Sequence, residues 1–155
     1  MTIGIVGSEQ AKFTHDTEQA ARLLIRSLLR AGDVVVSGEC HLGGVDYYAR
    51  QEARALGLDF MPCPPATHRW EDGYKPRNRR IAELSELVIC ITVAALPLHY
   101  TGMRFDYCYH CDTDQHVKSG GCWTGRFAKN SLHKPVHFHV IDPDGRLSQR
   151  FYGHA

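Results

Sequence analysis

The sequence predicts an α/β fold: a three-layer sandwich in which helices cover both faces of a mostly parallel sheet. Three observations predict it. Short aliphatic runs alternate with amphipathic stripes at the spacing of βαβ units. The run Val34-Val35-Val36 is β-branched throughout and lacks polar alternation, as expected of a strand covered on both faces. Two stripes stop at a glycine, Gly32 and Gly57, before the next run begins. The length of 155 residues suits one domain, 1–155, with a core of its own.

Each element follows from its residues. Thr2 to Gly7 is an apolar run ending in Gly7-Ser8, a buried strand. Asp16 to Ala31 carries Ala20, Leu23, Leu24, Ile25, Leu28 and Leu29 at helical spacing. Asp33 to Ser37 is the second strand, and Val45 to Leu56 is a helix opened by Gly43-Gly44. Leu58 to Pro62 is a third short strand, and Cys63 to Tyr74 reads as a loop around Pro64-Pro65. Pro76 suits the first position of a helix over Pro76 to Ser85, since its missing N–H is not needed there. Leu87 to Val93 is the fourth strand, Trp123 to Leu132 a helix and Val136 to Ile141 the last main strand. The turn Asp142-Pro143-Asp144-Gly145 predicts a short edge strand around Leu147 to Tyr152.

Composition narrows the function. Lys+Arg 18 against Asp+Glu 17 gives a net charge of +1, which argues against a nucleic-acid coat. The longest apolar stretch, Leu87 to Leu98, is broken by Thr92 and Pro97 and is too short to span a bilayer. The first residues lack the basic and apolar regions of an export signal, so a soluble cytoplasmic protein is expected. In that setting six cysteines point to reduced thiols or a metal rather than to disulfides.

The stretch from Ala94 to Gly121 has little apolar periodicity and is long for a loop in a compact domain. It holds Cys108-x2-Cys111-x4-His116-x5-Cys122, one residue longer in its last gap than a retroviral zinc knuckle. Two thiolates at this spacing grip one ion from a tight turn, and His116 and Cys122 complete a tetrahedron, with His110 an alternative to His116. A closed Cys3His shell leaves no place for water, so a structural zinc is expected in a loop spanning about 104–122. Its binding would contribute on the order of 10 kcal/mol to ordering the loop.

Four patterns occur in one order. They are Ile5-Val6-Gly7-Ser8; Ser37-Gly38 with Gly43-Gly44-Val45-Asp46; Pro76-Arg77-Asn78 with Ile81-Ala82; and Ser119-Gly120-Gly121 with Thr124, followed by Lys134-Pro135-Val136. Together they resemble the SLOG superfamily, which joins the DNA-processing protein A family and the LONELY GUY phosphoribohydrolases. The resemblance covers about residues 2 to 141 and implies a Rossmann-like sandwich that binds a nucleotide or nucleotide-derived ligand. It also implies a homodimer or a larger even assembly, with the Pro76 and Trp123 helices among the candidate faces. Arg77 matches an arginine of the LONELY GUY branch, but no glutamate follows Thr124 where the hydrolytic carboxylate of that branch would sit. Glu39, Asp46 and Asp106 are the candidate replacements.

The ligand loops also follow from the fold class. Parallel sheets bind ligands beyond the carboxyl ends of their strands. Gly7, Ser8, Ser37 and Gly38 lie at such ends, and Gly43, Gly44, Arg77, Asn78, Gly120 and Gly121 stand near three expected helix N-termini. Free N–H groups there favour an anion, and Arg77 adds bidentate donors for phosphate. Thr124 joins this set through the resemblance. Cys40 with His41 is a weak nucleophile pattern, and Trp70, Tyr74 and Trp123 offer rings for a base. The expected function is binding of a nucleotide-like ligand, with hydrolysis of an N-glycosidic bond left open. The alternatives are a non-catalytic sensor or sequestering protein and a DNA-binding accessory module.

Overall fold

A computed structural model describes residues 1–148. Strands β1 (Thr2–Gly7), β2 (Val34–Gly38), β3 (Asp59–Cys63), β4 (Leu87–Val93), β5 (Val136–Ile141) and β6 (Leu147–Ser148) form one sheet in the order β3-β2-β1-β4-β5-β6. All neighbours pair in parallel except β5 and β6, so the sheet is mostly parallel, as expected. The register of β1 sets Ile3 to Gly4 against Val35 to Val36 on one side and Gly7 against Ile91 on the other. Of the edge strand expected around Leu147 to Tyr152, Leu147–Ser148 pairs with β5, and the remainder lies outside the described residues.

Helices α1 (His15–Leu28) and α2 (Val45–Ala55) cover one face; α3 (Lys75–Leu84) and α4 (Gly120–Asn130) cover the other. Two cores result. Ile5, Val35, Ile89 and Ile91 pack against Leu24, Ile25, Tyr48 and Ala49. Val6, Val36, Val88 and Cys90 pack against Ile81, Ala82 and Ala128, and this second core includes Cys108, Cys111 and Cys122. The period-2 geometry of the strands sends neighbouring residues such as Ile89 and Cys90 to opposite cores.

Besides shifts of one or two residues at other ends, three departures from the sequence reading have a clear physical form. The first helix ends at Leu28 instead of Ala31, because Leu29 is extended and buried and the Asp33 carboxylate accepts the Arg30 N–H at 2.8 Å. Trp70–Tyr74, expected as loop, is a π-helical turn running straight into α3; Tyr74 N–H bonds back five residues to the Arg69 carbonyl at 2.9 Å. The helix expected to open at Pro76 therefore begins within a longer helical run, and Pro76 does not mark its free end. Finally, α4 starts at Gly120, three residues before Trp123. Ser119 is its N-cap and accepts the Gly121 N–H at 3.1 Å.

Chain order places a topological switch beside β1. The chain moves outward from β1 to β2 and β3, then returns to β4 on the other side of β1. Connections from β1 and β4 thus leave toward opposite faces, opening a crevice at the carboxyl edge. The first turn of α4 lies against the end of β1 there. A side chain on Gly121 would bring its Cβ within 2.5 Å of the Gly7 nitrogen and 2.8 Å of its Cα. Gly121→Ala should therefore destabilise the fold by about 1–3 kcal/mol through overpacking; urea denaturation measures this, and an unchanged midpoint would contradict the contact.

Candidate functional site

The crevice is a cavity of about 670 Å³. Among the residues expected to bind ligand, Gly7, Gly43, Asp46, Arg77, Asn78, Gly120, Gly121 and Thr124 line it. Ser8, Ser37, Gly38 and Gly44 lie behind this surface, as positioning residues of the same loops. The Ser8 carbonyl accepts the Val45 N–H at 3.0 Å and so sets the start of α2, whose N-cap is Gly44 with φ +84°. Ser37 donates its hydroxyl to the Ile5 carbonyl at 2.6 Å and stands 3.2 Å from Asp46 Oδ1. Glu39 is not brought to the cavity; it pairs with Arg50 at 3.6 Å on an exposed surface.

Arg77 and Asp46 form the charged floor. Arg77 Nη1 is 3.6 Å from Asp46 Oδ2, and both side chains are largely buried. Arg77 Nε donates to Asn78 Oδ1 at 2.8 Å, and the guanidinium lies 5.3 Å from the Tyr74 ring centre. A side chain at Gly38 would collide with the Arg77 guanidinium and the Asp46 carboxylate, so the pair keeps its place only while position 38 has no Cβ. Burial pushes the Asp46 carboxyl up to about 6, against the opposing pull of Arg77 and the Ser37 hydroxyl.

Among the residues lining the cavity, two buried polar atoms make no hydrogen bond within the protein. They are Thr124 Oγ1, on a residue with 0% exposure, and Arg77 Nη1, on a residue with 9%. Ser8 Oγ, behind them, is a third. Such atoms are costly unless something satisfies them. Thr124 and Arg77 line the cavity, as do Ser119, Gly120 and Gly121 at the N-terminus of α4. In the first turn of that helix the Gly121 N–H donates to Ser119 Oγ and the Cys122 N–H to the Ser119 carbonyl, each at 3.1 Å, while the Gly120 N–H has no carbonyl of an earlier turn to bond.

Lys12 and Lys118 line the cavity too, and the sequence reading did not single them out. Lys12 lies in a 3-10 turn, Gln10–Lys12, after β1. Its ammonium donates to the Lys118 carbonyl at 2.7 Å, and burial lowers its pKa. The available signal was position: Lys12 follows Gly7 in the loop at the switch point. Trp123 stacks on Phe127 and meets Trp70 edge-on, each at 5.2 Å, so the two tryptophans form one aromatic wall. Cys40 lines the cavity, but burial raises its thiol pKa. His41 stacks on His68 and its Nδ1 lies 3.0 Å from the Tyr74 hydroxyl, an arrangement that engages the ring away from a role as base for Cys40.

Beside the cavity, Cys108, Cys111, His116 and Cys122 bring their ligand atoms within 4.8 Å of one another, and all four are buried. His116 completes the set, while His110 lines the cavity instead. His116 Nδ1 is 2.9 Å from the Val117 carbonyl. A proton on Nδ1 donates to that carbonyl and leaves the Nε2 lone pair for an ion, the usual orientation of a ligating histidine. Thiol donation from Cys111 and Cys122 favours a thiolate at Cys108 and holds the protons on the other two. The donor set fits a tetrahedral, sulfur-rich metal site.

The strand order and crevice define a Rossmann-like α/β fold with a Cys/His cluster at its ligand edge. The chain is similar in structure to the molybdenum cofactor carrier protein MCP from Chlamydomonas reinhardtii, with a TM-score of 0.58 and 17% identity, over 88% of this chain and 74% of that one. A likeness at that identity is one of fold. No protein-family model and no curated protein matches the chain in sequence. Among the described residues no helix is long and apolar enough to cross a membrane.

The floor of the cavity has a direct test. Asp46 should titrate near pH 6, and Arg77→Ala should move its midpoint higher, since the lost cation favoured the carboxylate. Carbon-detected NMR of the carboxyl group measures both; a midpoint in the ordinary aspartate range would contradict the buried pair.

Proposed function

We propose that this chain is a non-hydrolytic member of the SLOG superfamily. In this reading it binds or carries a nucleotide or a nucleotide-derived, phosphorylated ligand at the carboxyl edge of its sheet. The observation that carries the proposal is the pairing of unsatisfied polar atoms with a cavity: Thr124 Oγ1 and Arg77 Nη1, beside the N-terminus of α4. A phosphate would accept from these groups and from the Gly120 N–H, the Gly121 N–H being held by the Ser119 cap. Lys12 and Lys118 supply further charge, and the Trp70–Trp123 wall gives a flat ring a surface to pack on.

Carriage rather than hydrolysis is favoured by the carboxylates. Glycoside cleavage of the LONELY GUY kind needs a free one near the sugar. Asp46 is buried and paired with Arg77, Glu39 faces Arg50 outside the cavity, Asp106 is exposed and does not line it, and Glu9, which does, lies 4.0 Å from Lys12. The similarity in fold to a protein described as a molybdenum cofactor carrier is consistent with a small-molecule cargo. In this proposal Cys108, Cys111, His116 and Cys122 hold one structural zinc, the chain is a single domain, and it pairs as a homodimer through the α3 and α4 face.

Calorimetry with AMP and adenosine tests the site. AMP should bind and adenosine much more weakly, and Arg77→Ala should cost AMP about 2–5 kcal/mol. Equal affinity for AMP and adenosine would remove the phosphate reading; release of adenine from AMP would replace carriage with hydrolysis. Elemental analysis should find about one zinc per chain, and Cys111→Ser should abolish it. A zinc-free protein, purified under reducing conditions, would refute the metal assignment.

A further inference from the structure

The loop that carries the Cys/His cluster also forms one wall of the cavity. Tyr109 and His110, between Cys108 and Cys111, line the cavity. So do Lys118, Ser119, Gly120 and Gly121, between His116 and Cys122. Two of the three gaps between ligating residues thus face the crevice, while the ligating side chains face the core behind it.

Little else orders this wall. In residues 94–119 the buried positions are Cys108, Cys111, His116, Val117 and Ser119, three of them in the cluster. Its backbone is tied to the sheet near its two ends, by the Ala94 N–H on the Ile141 carbonyl and the Val117 N–H on the Val93 carbonyl, each at 2.9 Å, and between them it holds the Cys108–Thr113 bridge and short bonds within the loop itself. A loop so poor in apolar core is ordered by what its ligating side chains hold. The wall is also latched to the opposite side of the crevice: Lys12 Nζ donates to the Lys118 carbonyl at 2.7 Å. The Lys118 ammonium lies 4.8 Å from the Phe105 ring centre and 5.0 Å from that of Tyr109, which holds its charge at the cavity mouth.

Cys122 joins the two sites most directly. It lies in the first turn of α4, between Gly121 at the cavity and the buried sulfur cluster. Drawing Cys122 to an ion fixes the direction of the Gly120 and Gly121 N–H groups; releasing it frees that turn.

From this shared loop we propose that the metal site and the ligand site are thermodynamically linked, with Lys118 and Tyr109 as ligand-contacting residues supplied by the metal loop. Zinc assembles the wall on which the phosphorylated ligand is held, and the ligand in turn retains the zinc. The proposal rests on the ligand reading above and extends it to the metal loop. The linkage is reciprocal: whatever factor zinc adds to ligand affinity, the ligand adds to zinc affinity.

The test uses the full chain and AMP as probe. AMP is titrated by calorimetry into zinc-loaded protein and into protein depleted by chelator under reducing conditions, with circular dichroism confirming that the fold persists. Depletion should weaken AMP by about tenfold or more, and saturating AMP should lower the zinc captured by a chromogenic chelator by a matching factor. Lys118→Ala and Tyr109→Ala leave the cluster intact; in the zinc-loaded state each should weaken AMP several-fold without changing zinc content. Equal AMP affinity with and without zinc, or unaltered affinity in both variants, overturns the linkage while leaving the ligand site standing. Failure of the zinc-loaded wild type to bind AMP overturns the ligand reading and the linkage together.

Discussion

The seat of α4 against β1 is the constraint on which the site depends. Gly121 has no room for a side chain because the Gly7 backbone is its neighbour, and Cys122, the next residue, is committed to the buried sulfur cluster. A helix fixed at both of these points has its first turn aimed across the crevice. Ser119 then caps it, and Thr124, one turn along, presents a hydroxyl with no partner of its own. The unusual loop 94–119, the glycine pair and the cysteine spacing are parts of one arrangement.

Electrostatics in the crevice have the same economy. The cavity is lined by Lys12, Arg77 and Lys118 against Glu9 and Asp46, and α4 adds the positive end of its dipole. Arg77 stays charged whatever its surroundings, so its burial must be offset by Asp46, by the Tyr74 ring or by a ligand. Asp46 offsets it in part, at 3.6 Å and with a carboxyl that burial has already made harder to ionise. A phosphate has the geometry to complete what Asp46 leaves undone.

Much of this was legible in the sequence because it depends on local pattern. Leu87–Val93 and Val136–Ile141 are strands with the bounds their aliphatic runs imply, and the Cys-x2-Cys spacing with His116 and Cys122 marked the cluster. What the sequence hid depends on individual hydrogen bonds and ion pairs that hydrophobic periodicity does not report. Asp33 ends α1 early by capturing the Arg30 N–H, and the π turn before Pro76 closes through the Tyr74 N–H on the Arg69 carbonyl. Lys12 matters because Lys118, 106 positions later, returns to meet it. Glu39 looked well placed in a ligand loop, yet its side chain turns to Arg50.

The most direct measurement is a crystal structure of the zinc-loaded protein grown with a nucleoside monophosphate. Difference density should place the phosphate at the N-terminus of α4, within hydrogen-bond distance of the Gly120 N–H, the Thr124 hydroxyl and the Arg77 guanidinium. A nucleotide bound elsewhere on the chain, or a crevice that holds only ordered water at saturating nucleotide, would contradict the account.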